Sequence, residues 1–109
     1  MNSDQLEIRE DRLGILICGH GSRNALAIKE FADLVQALRL RVKGAPIEYG
    51  YLEFAIPTIK DALNKLRKKS IEKVIAVPAM LFAAGHTKND IPALLNKYSL
   101  LTGLEIQYG

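Results

Sequence analysis

The sequence predicts an α/β domain, an open parallel four-stranded sheet with helices packed over both faces. Three observations carry this. Short apolar runs alternate with stretches of helical apolar spacing, in the order β-α-β-α-β-α-β. The first run, residues 13–18 (LGILIC), is apolar along its whole length, as a strand covered on both sides has to be. The chain has 109 residues, of which 49% are hydrophobic and 25% charged, enough for one globular domain with one core.

Each element follows from its own pattern. Residues 24–42 repeat apolar side chains at Ala25, Ile28, Phe31, Ala32, Val35, Leu38 and Val42, a helical stripe, and Gly44 is expected to end it as a C-terminal glycine does. Residues 46–52 (PIEYGYL) alternate and are rich in aromatic and branched residues, which predicts a second strand. Pro57 is expected in the first turn of a second helix, with Ile59, Ala62, Leu63 and Leu66 as its buried stripe. Residues 73–77 form a third strand that Pro78 closes. Residues 87–98 form a third helix with Asp90 as N-cap and Pro92 in its first turn. Residues 104–108 form a fourth strand. Alternation of this kind implies parallel pairing through right-handed crossovers.

Residues 1–12 read as a polar N-terminal extension and 13–109 as a single domain without a helix to close over the fourth strand. No apolar run approaches the ~20 residues that span a bilayer, and residues 1–12 carry no basic-then-apolar leader, so the expected compartment is the cytoplasm and no membrane partner is expected. The net charge of +3 is mild. Its main cluster, Arg67, Lys68 and Lys69, falls at the end of the second helix, where cations suit the helix dipole. Three Phe and four Tyr, scattered along the chain, do not make the basic-aromatic platform that nucleic acid requires. The single cysteine, Cys18, lies inside the first strand and reads as a small core residue.

Ligands of open parallel sheets bind beyond the carboxyl ends of the strands. Strand one runs into Gly19-His20-Gly21-Ser22-Arg23, strand two into Glu53, and strand three through Met80 and Phe82 into Gly85-His86. Both histidines of the chain thus fall on one rim, each beside glycine, and a carboxylate joins them from the strand that is second in sequence. Neutral imidazole is a good ligand for Co²⁺, Fe²⁺, Ni²⁺ and Zn²⁺. Two imidazoles and a carboxylate leave coordination positions open for a substrate. Ser22 and Arg23 suit an anion at the start of the first helix, or serve as its cap and a surface charge. Glu53 acts at the rim or caps the second helix. Met80 and Phe82 line a pocket or the core. This spacing alone is compatible with hydrolysis, metal storage or proton transfer.

Taken together, Ile17-Cys18-Gly19-His20-Gly21-Ser22-Arg23, Tyr51-Leu52-Glu53 with Pro57-Thr58-Ile59, Val77-Pro78 leading to Leu81-Phe82 and Gly85-His86, and Asp90-Ile91-Pro92 resemble the sirohydrochlorin cobaltochelatase family of the CbiX type, which also takes in ferrochelatases of sirohaem synthesis and nickel chelatases. The likeness runs over residues 13–108. It implies a chelatase half-domain with strand order 2-1-3-4. It implies insertion of a divalent ion, cobalt favoured and iron or nickel as alternatives, into a sirohydrochlorin-type tetrapyrrole, with no organic cofactor. His20 and His86 would hold the metal, and Glu53 matches a common acidic position. Ring carboxylates would meet Arg23, Lys88 or helix N-termini, over an apolar lip. Short family members resemble homodimers, and a fusion to another corrin-pathway domain is the other expected arrangement. Family domains continue into a closing helix where this sequence stops. Two rivals belong to other classes. Histidine phosphatases begin with Arg-His-Gly, and Gly19 stands where that arginine would be. A non-catalytic module would bind metal or tetrapyrrole for a larger corrin-pathway protein.

Overall fold

A computed structural model of the chain describes residues 6–7, 12–78 and 90–108, with the side chains of 12–78 and 93–108. Among the described residues, nine elements follow one another: β1 (Leu6–Glu7), β2 (Leu13–Gly19), α1 (Ala25–Arg41), β3 (Val42–Lys43), β4 (Ile47–Tyr51), α2 (Ile59–Lys68), β5 (Lys73–Pro78), α3 (Asp90–Thr102) and β6 (Glu105–Tyr108). The main sheet has the order β4-β2-β5-β6 with parallel pairing throughout. These are the four expected strands in the order 2-1-3-4.

β2 is central, flanked by β4 and β5, and its buried residues serve two cores. Leu16 and Cys18 face α2 and α3, packing with Ile59, Leu63, Leu66, Leu95 and Tyr98. Ile17 faces α1, packing with Val35 and Ile47. Helices therefore cover both faces, as the continuous apolar run of β2 requires.

α1 begins at a true cap: the Asn24 side chain accepts from the backbone N–H groups of Leu26 and Ala27. Its end differs from expectation. Helical geometry stops at Arg41, and Val42–Lys43 turns extended to pair in parallel with Leu6–Glu7 before Gly44 is reached. The stripe of α1 is half-buried, with Val35 alone fully excluded from water and Ala25 exposed.

α2 buries all four residues of its expected stripe, Ile59, Ala62, Leu63 and Leu66, each at 0% exposure. Pro57 is not in its first turn. Thr58 is the N-cap, and a reciprocal capping box joins it to Asp61: the Thr58 hydroxyl accepts from the Asp61 N–H at 3.1 Å, and the Asp61 carboxylate accepts from the Thr58 N–H at 3.0 Å. Gly50 lets this helix start lie against β4, because a Cβ there would stand 2.4 Å from the Thr58 carbonyl oxygen. α3 runs to Thr102, four residues past its expected end, and stops at Gly103 with φ 75°. Asp90 is the first described residue of α3, and the expected positions 87–89 that precede it lie outside the described residues.

β4 carries the one buried charge among the described residues. Glu48 is 7% exposed and is held by Arg39 at 3.2 Å and Lys69 at 2.9 Å. Arg39 also donates to the Ile47 carbonyl through Nε and Nη2, so it covers part of the outer edge of β4 that would otherwise be open to another strand. A polar groove of about 710 Å³ runs beside this edge, lined by Arg39, Glu48, Tyr49, Asn64, Lys65 and Lys68 among others; none of the expected site residues lies in it.

Candidate functional site at the carboxyl rim

The rim is built by two segments that leave the sheet side by side. β2 ends at Gly19 and β4 at Tyr51, and these two residues are paired. Pairing continues past the strands: Leu52 N–H donates to the Gly19 carbonyl at 2.8 Å, and Glu53 N–H donates to the His20 carbonyl at 3.1 Å. The segment carrying the imidazole and the segment carrying the carboxylate are therefore fastened to each other through main chain.

Gly21 makes this closure possible. Its φ is 104°, and a Cβ at this position would fall 1.7 Å from the Glu53 carbonyl oxygen. No side chain fits there, and few residues other than glycine adopt that φ without strain. Beneath the turn, Gly19 sits against Phe31 and Tyr51, whose ring centroids are 5.0 Å apart in a tilted contact. Burial, with the neighbouring Tyr49, pushes the Tyr51 phenol up to about 12, so it stays a neutral donor, directed at the Ile28 carbonyl at 3.4 Å.

His20 is half-buried, with Nε2 shielded from solvent. Glu53 is exposed; it does not cap α2, a role taken by Thr58 and Asp61. Ser22 accepts from the Asn24 N–H at 3.0 Å and so braces the α1 cap without being it. Arg23 is exposed and lies over the Phe54 ring, 4.7 Å from its centroid. Cys18 is buried, and burial pushes its thiol up to about 12, in keeping with a core residue. The expected partners Met80, Phe82, His86 and Lys88 lie outside the described residues. Among the described residues, no three His, Cys, Asp or Glu side chains gather as a metal-holding group. Phe54 is the rim residue that sequence reading missed; nothing in its local pattern marks it.

The segments carrying His20 and Glu53 are joined through main chain at the carboxyl edge of a doubly covered parallel sheet, the edge on which α/β domains of this class bind their ligands. The family is settled by comparison: the chain belongs to the CbiX family, whose model matches residues 14–109. A sirohydrochlorin cobaltochelatase of Methanothermobacter thermautotrophicus is 32% identical over 94 residues, covering 86% of this chain and 62% of its own. One from Sulfurisphaera tokodaii is 41% identical over 87 residues, 77% of this chain and 68% of its own. This chain thus spans about two thirds of these relatives' length. Among solved structures, the sirohydrochlorin chelatase SirB of Bacillus subtilis subspecies spizizenii, in complex with cobalt, superposes with a TM-score of 0.79 at 31% identity, covering 89% of this chain and 42% of that one. A CbiX protein from Marinobacter aquaeolei VT8 superposes with a TM-score of 0.76 at 25% identity, covering 89% and 77%.

Proposed function

We propose that this chain inserts a divalent metal ion, cobalt by preference and iron or nickel as alternatives, into a sirohydrochlorin-type tetrapyrrole. The observation that carries the reading is the pair of main-chain bonds from Leu52 and Glu53 to Gly19 and His20, which hold an imidazole and a carboxylate on one rim. Membership of the CbiX family, with cobaltochelatases among its relatives, supports the same chemistry.

Insertion exchanges one M²⁺ for the two pyrrole N–H protons of the ring, so charge balances only if a base removes those protons. The metal is substrate here, and the step needs no organic cofactor and no nucleotide. In this proposal His20 and His86 hold the incoming ion as neutral imidazoles, leaving positions open for the ring nitrogens. Glu53, exposed to solvent at the rim, takes protons from the ring and passes them to water. Arg23, Ser22 and Lys88 meet the peripheral carboxylates, and Met80 and Phe82 form an apolar lip. A second copy of the chain, or an associated corrin-pathway domain, supplies the opposing wall of the cavity. No helix among the described residues is long and apolar enough to cross a membrane, and the proposed setting is the cytoplasm.

The test follows the absorbance of sirohydrochlorin with Co²⁺, Fe²⁺ or Ni²⁺, with and without the protein. Acceleration by the parent chain, reduced about 100-fold or more in His20→Ala and by a smaller factor in Glu53→Gln, is the expected result for loss of a metal-holding and a proton-accepting group. An insertion rate in His20→Ala equal to the parent's sinks the assignment. Tight binding of metal or ring without turnover marks a binding module instead.

A further inference from the structure

Phe54 is locally costly in two ways at once. Its φ is 68°, in the left-handed region that a bulky residue enters only when its surroundings force it. The residue is 53% exposed, so burial does not explain an aromatic side chain there either. Glycine or asparagine would serve the backbone better. Positions where local preferences are overridden without a gain in the core concentrate where ligands meet a fold.

The surroundings say what kind of ligand. Phe54 follows Glu53, the residue whose N–H donates to the His20 carbonyl and whose own carbonyl lies against Gly21. From the other segment, Arg23 lays its guanidinium over the Phe54 ring. A guanidinium stacked on an aromatic face loses rotational freedom while its N–H edge stays directed sideways, free to grip a carboxylate with two parallel hydrogen bonds. The exposed part of the same ring is an apolar surface at the mouth of the site.

We infer that Phe54 and Arg23 form a recognition pair for a flat, carboxylate-bearing macrocycle. Arg23 takes a peripheral carboxylate, and Phe54 positions Arg23 while bearing on the ring edge. The inference rests on the chelatase reading and deepens it by assigning what orients the substrate relative to His20. Phe54 is a positioning residue, so its loss moves substrate affinity rather than the insertion step.

The experiment compares the parent with Phe54→Gly and Phe54→Tyr, using sirohydrochlorin as probe: Kd by fluorescence titration without metal, then kcat and KM for Co²⁺ insertion, with Tm alongside. Phe54→Gly keeps or raises Tm, because glycine accepts the backbone angle. Its Kd and KM for sirohydrochlorin rise about tenfold while kcat stays within about twofold, the size expected for a lost stacked cation–ring contact and its apolar face. Phe54→Tyr stays within about twofold of the parent on every measure. An unchanged Kd in Phe54→Gly, or a loss in Phe54→Tyr as large as in Phe54→Gly, overturns the inference. If the parent neither binds sirohydrochlorin nor inserts cobalt, the chelatase reading falls and this inference with it; an active parent with an indifferent Phe54→Gly removes the Phe54 assignment alone.

Discussion

Gly21→Ala tests whether the rim works as a fastened pair of segments. The added Cβ would lie 1.7 Å from the Glu53 carbonyl oxygen, and contacts under 3.0 Å are essentially never seen, so the two segments must part by more than an ångström. That movement breaks the 3.1 Å bond from Glu53 N–H to the His20 carbonyl, a loss of about 1 kcal/mol. Holding alanine at φ 104° adds about 1–3 kcal/mol of strain. The total of about 2–4 kcal/mol lies within the stability of a domain of this size, so the variant folds, with Tm lower by roughly 10–15 °C. Displacing a reacting group by about 1 Å costs on the order of 100-fold in rate, so cobalt insertion falls by that factor. Gly103→Ala is the control. Its φ is 75° and nothing lies within 4 Å of the added Cβ, so it costs about 1–2 kcal/mol of strain and leaves insertion intact. The measurements are thermal unfolding by circular dichroism and the absorbance assay. Gly21→Ala with the parent's rate and a Tm within about 2 °C would refute the reasoning.

Three further outcomes follow from the scaffold. Thr58→Ala removes a capping hydroxyl and costs about 1 kcal/mol, read as a lower urea midpoint. The partner half of that box is pH-dependent: the Thr58 backbone N–H, then its hydroxyl, then Lys65 and Lys60, hold the Asp61 carboxyl below its ordinary value. A lowered folded pKa gives stability that is complete above the unfolded carboxylate range and is lost as pH falls through the folded value. The Tm advantage of the parent over Asp61→Asn therefore narrows as pH is taken from 7 toward 3, and a constant gap would contradict the capping geometry. Glu48→Gln leaves Arg39 and Lys69 without their shared carboxylate. Because both cations reach water, with side chains 34% and 51% exposed, the cost is about 1–2 kcal/mol rather than that of a fully buried pair, measured by chemical unfolding.

The strands and the α2 stripe were legible because their signals are local. LGILIC at 13–18 needs two covered faces, and Ile59, Ala62, Leu63 and Leu66 keep helical spacing, whatever the rest of the chain does. The departures have non-local causes. α1 stops short of Gly44 because Val42 and Lys43 pair with Leu6 and Glu7, a contact that no window around Gly44 contains. The PIEYGYL strand reads as half-buried, yet Glu48 points inward because Arg39 and Lys69 arrive from two different helix ends. Pro57 reads as a first-turn proline, but the Thr58–Asp61 spacing of a capping box is the stronger local sign and outranks it. At the rim, His20 and Glu53 were found as residue types at strand ends. The reason Gly21 must be glycine lies 32 positions away, in the Glu53 carbonyl. The left-handed backbone of Phe54 has no pattern of its own.

The uneven cover of the sheet explains how such a rim is sustained. On one side α2 and α3 exclude water completely from Leu16, Ile59, Leu63, Leu66 and Val74. On the other, α1 contributes Val35 as its one fully buried residue and leaves Leu26 and Leu40 exposed. Stability is therefore concentrated beneath β2 and β5 on the α2–α3 side. β2, paired along both edges, turns that rigidity into a fixed direction of departure for His20. Where β2 and β4 end, Gly21 and Phe54 both take positive φ, as Arg12 and Ser70 do elsewhere in the chain. A turn that free would not hold an imidazole in place by itself. Pairing carried past the strand ends, and the Phe31–Tyr51 contact beneath Gly19, restrict it from two sides. A rim made this way keeps its geometry only while β4 stays in register with β2. For that reason Gly21, which bears no side chain, fixes where His20 and Glu53 leave the sheet as firmly as the strand pairing beneath it.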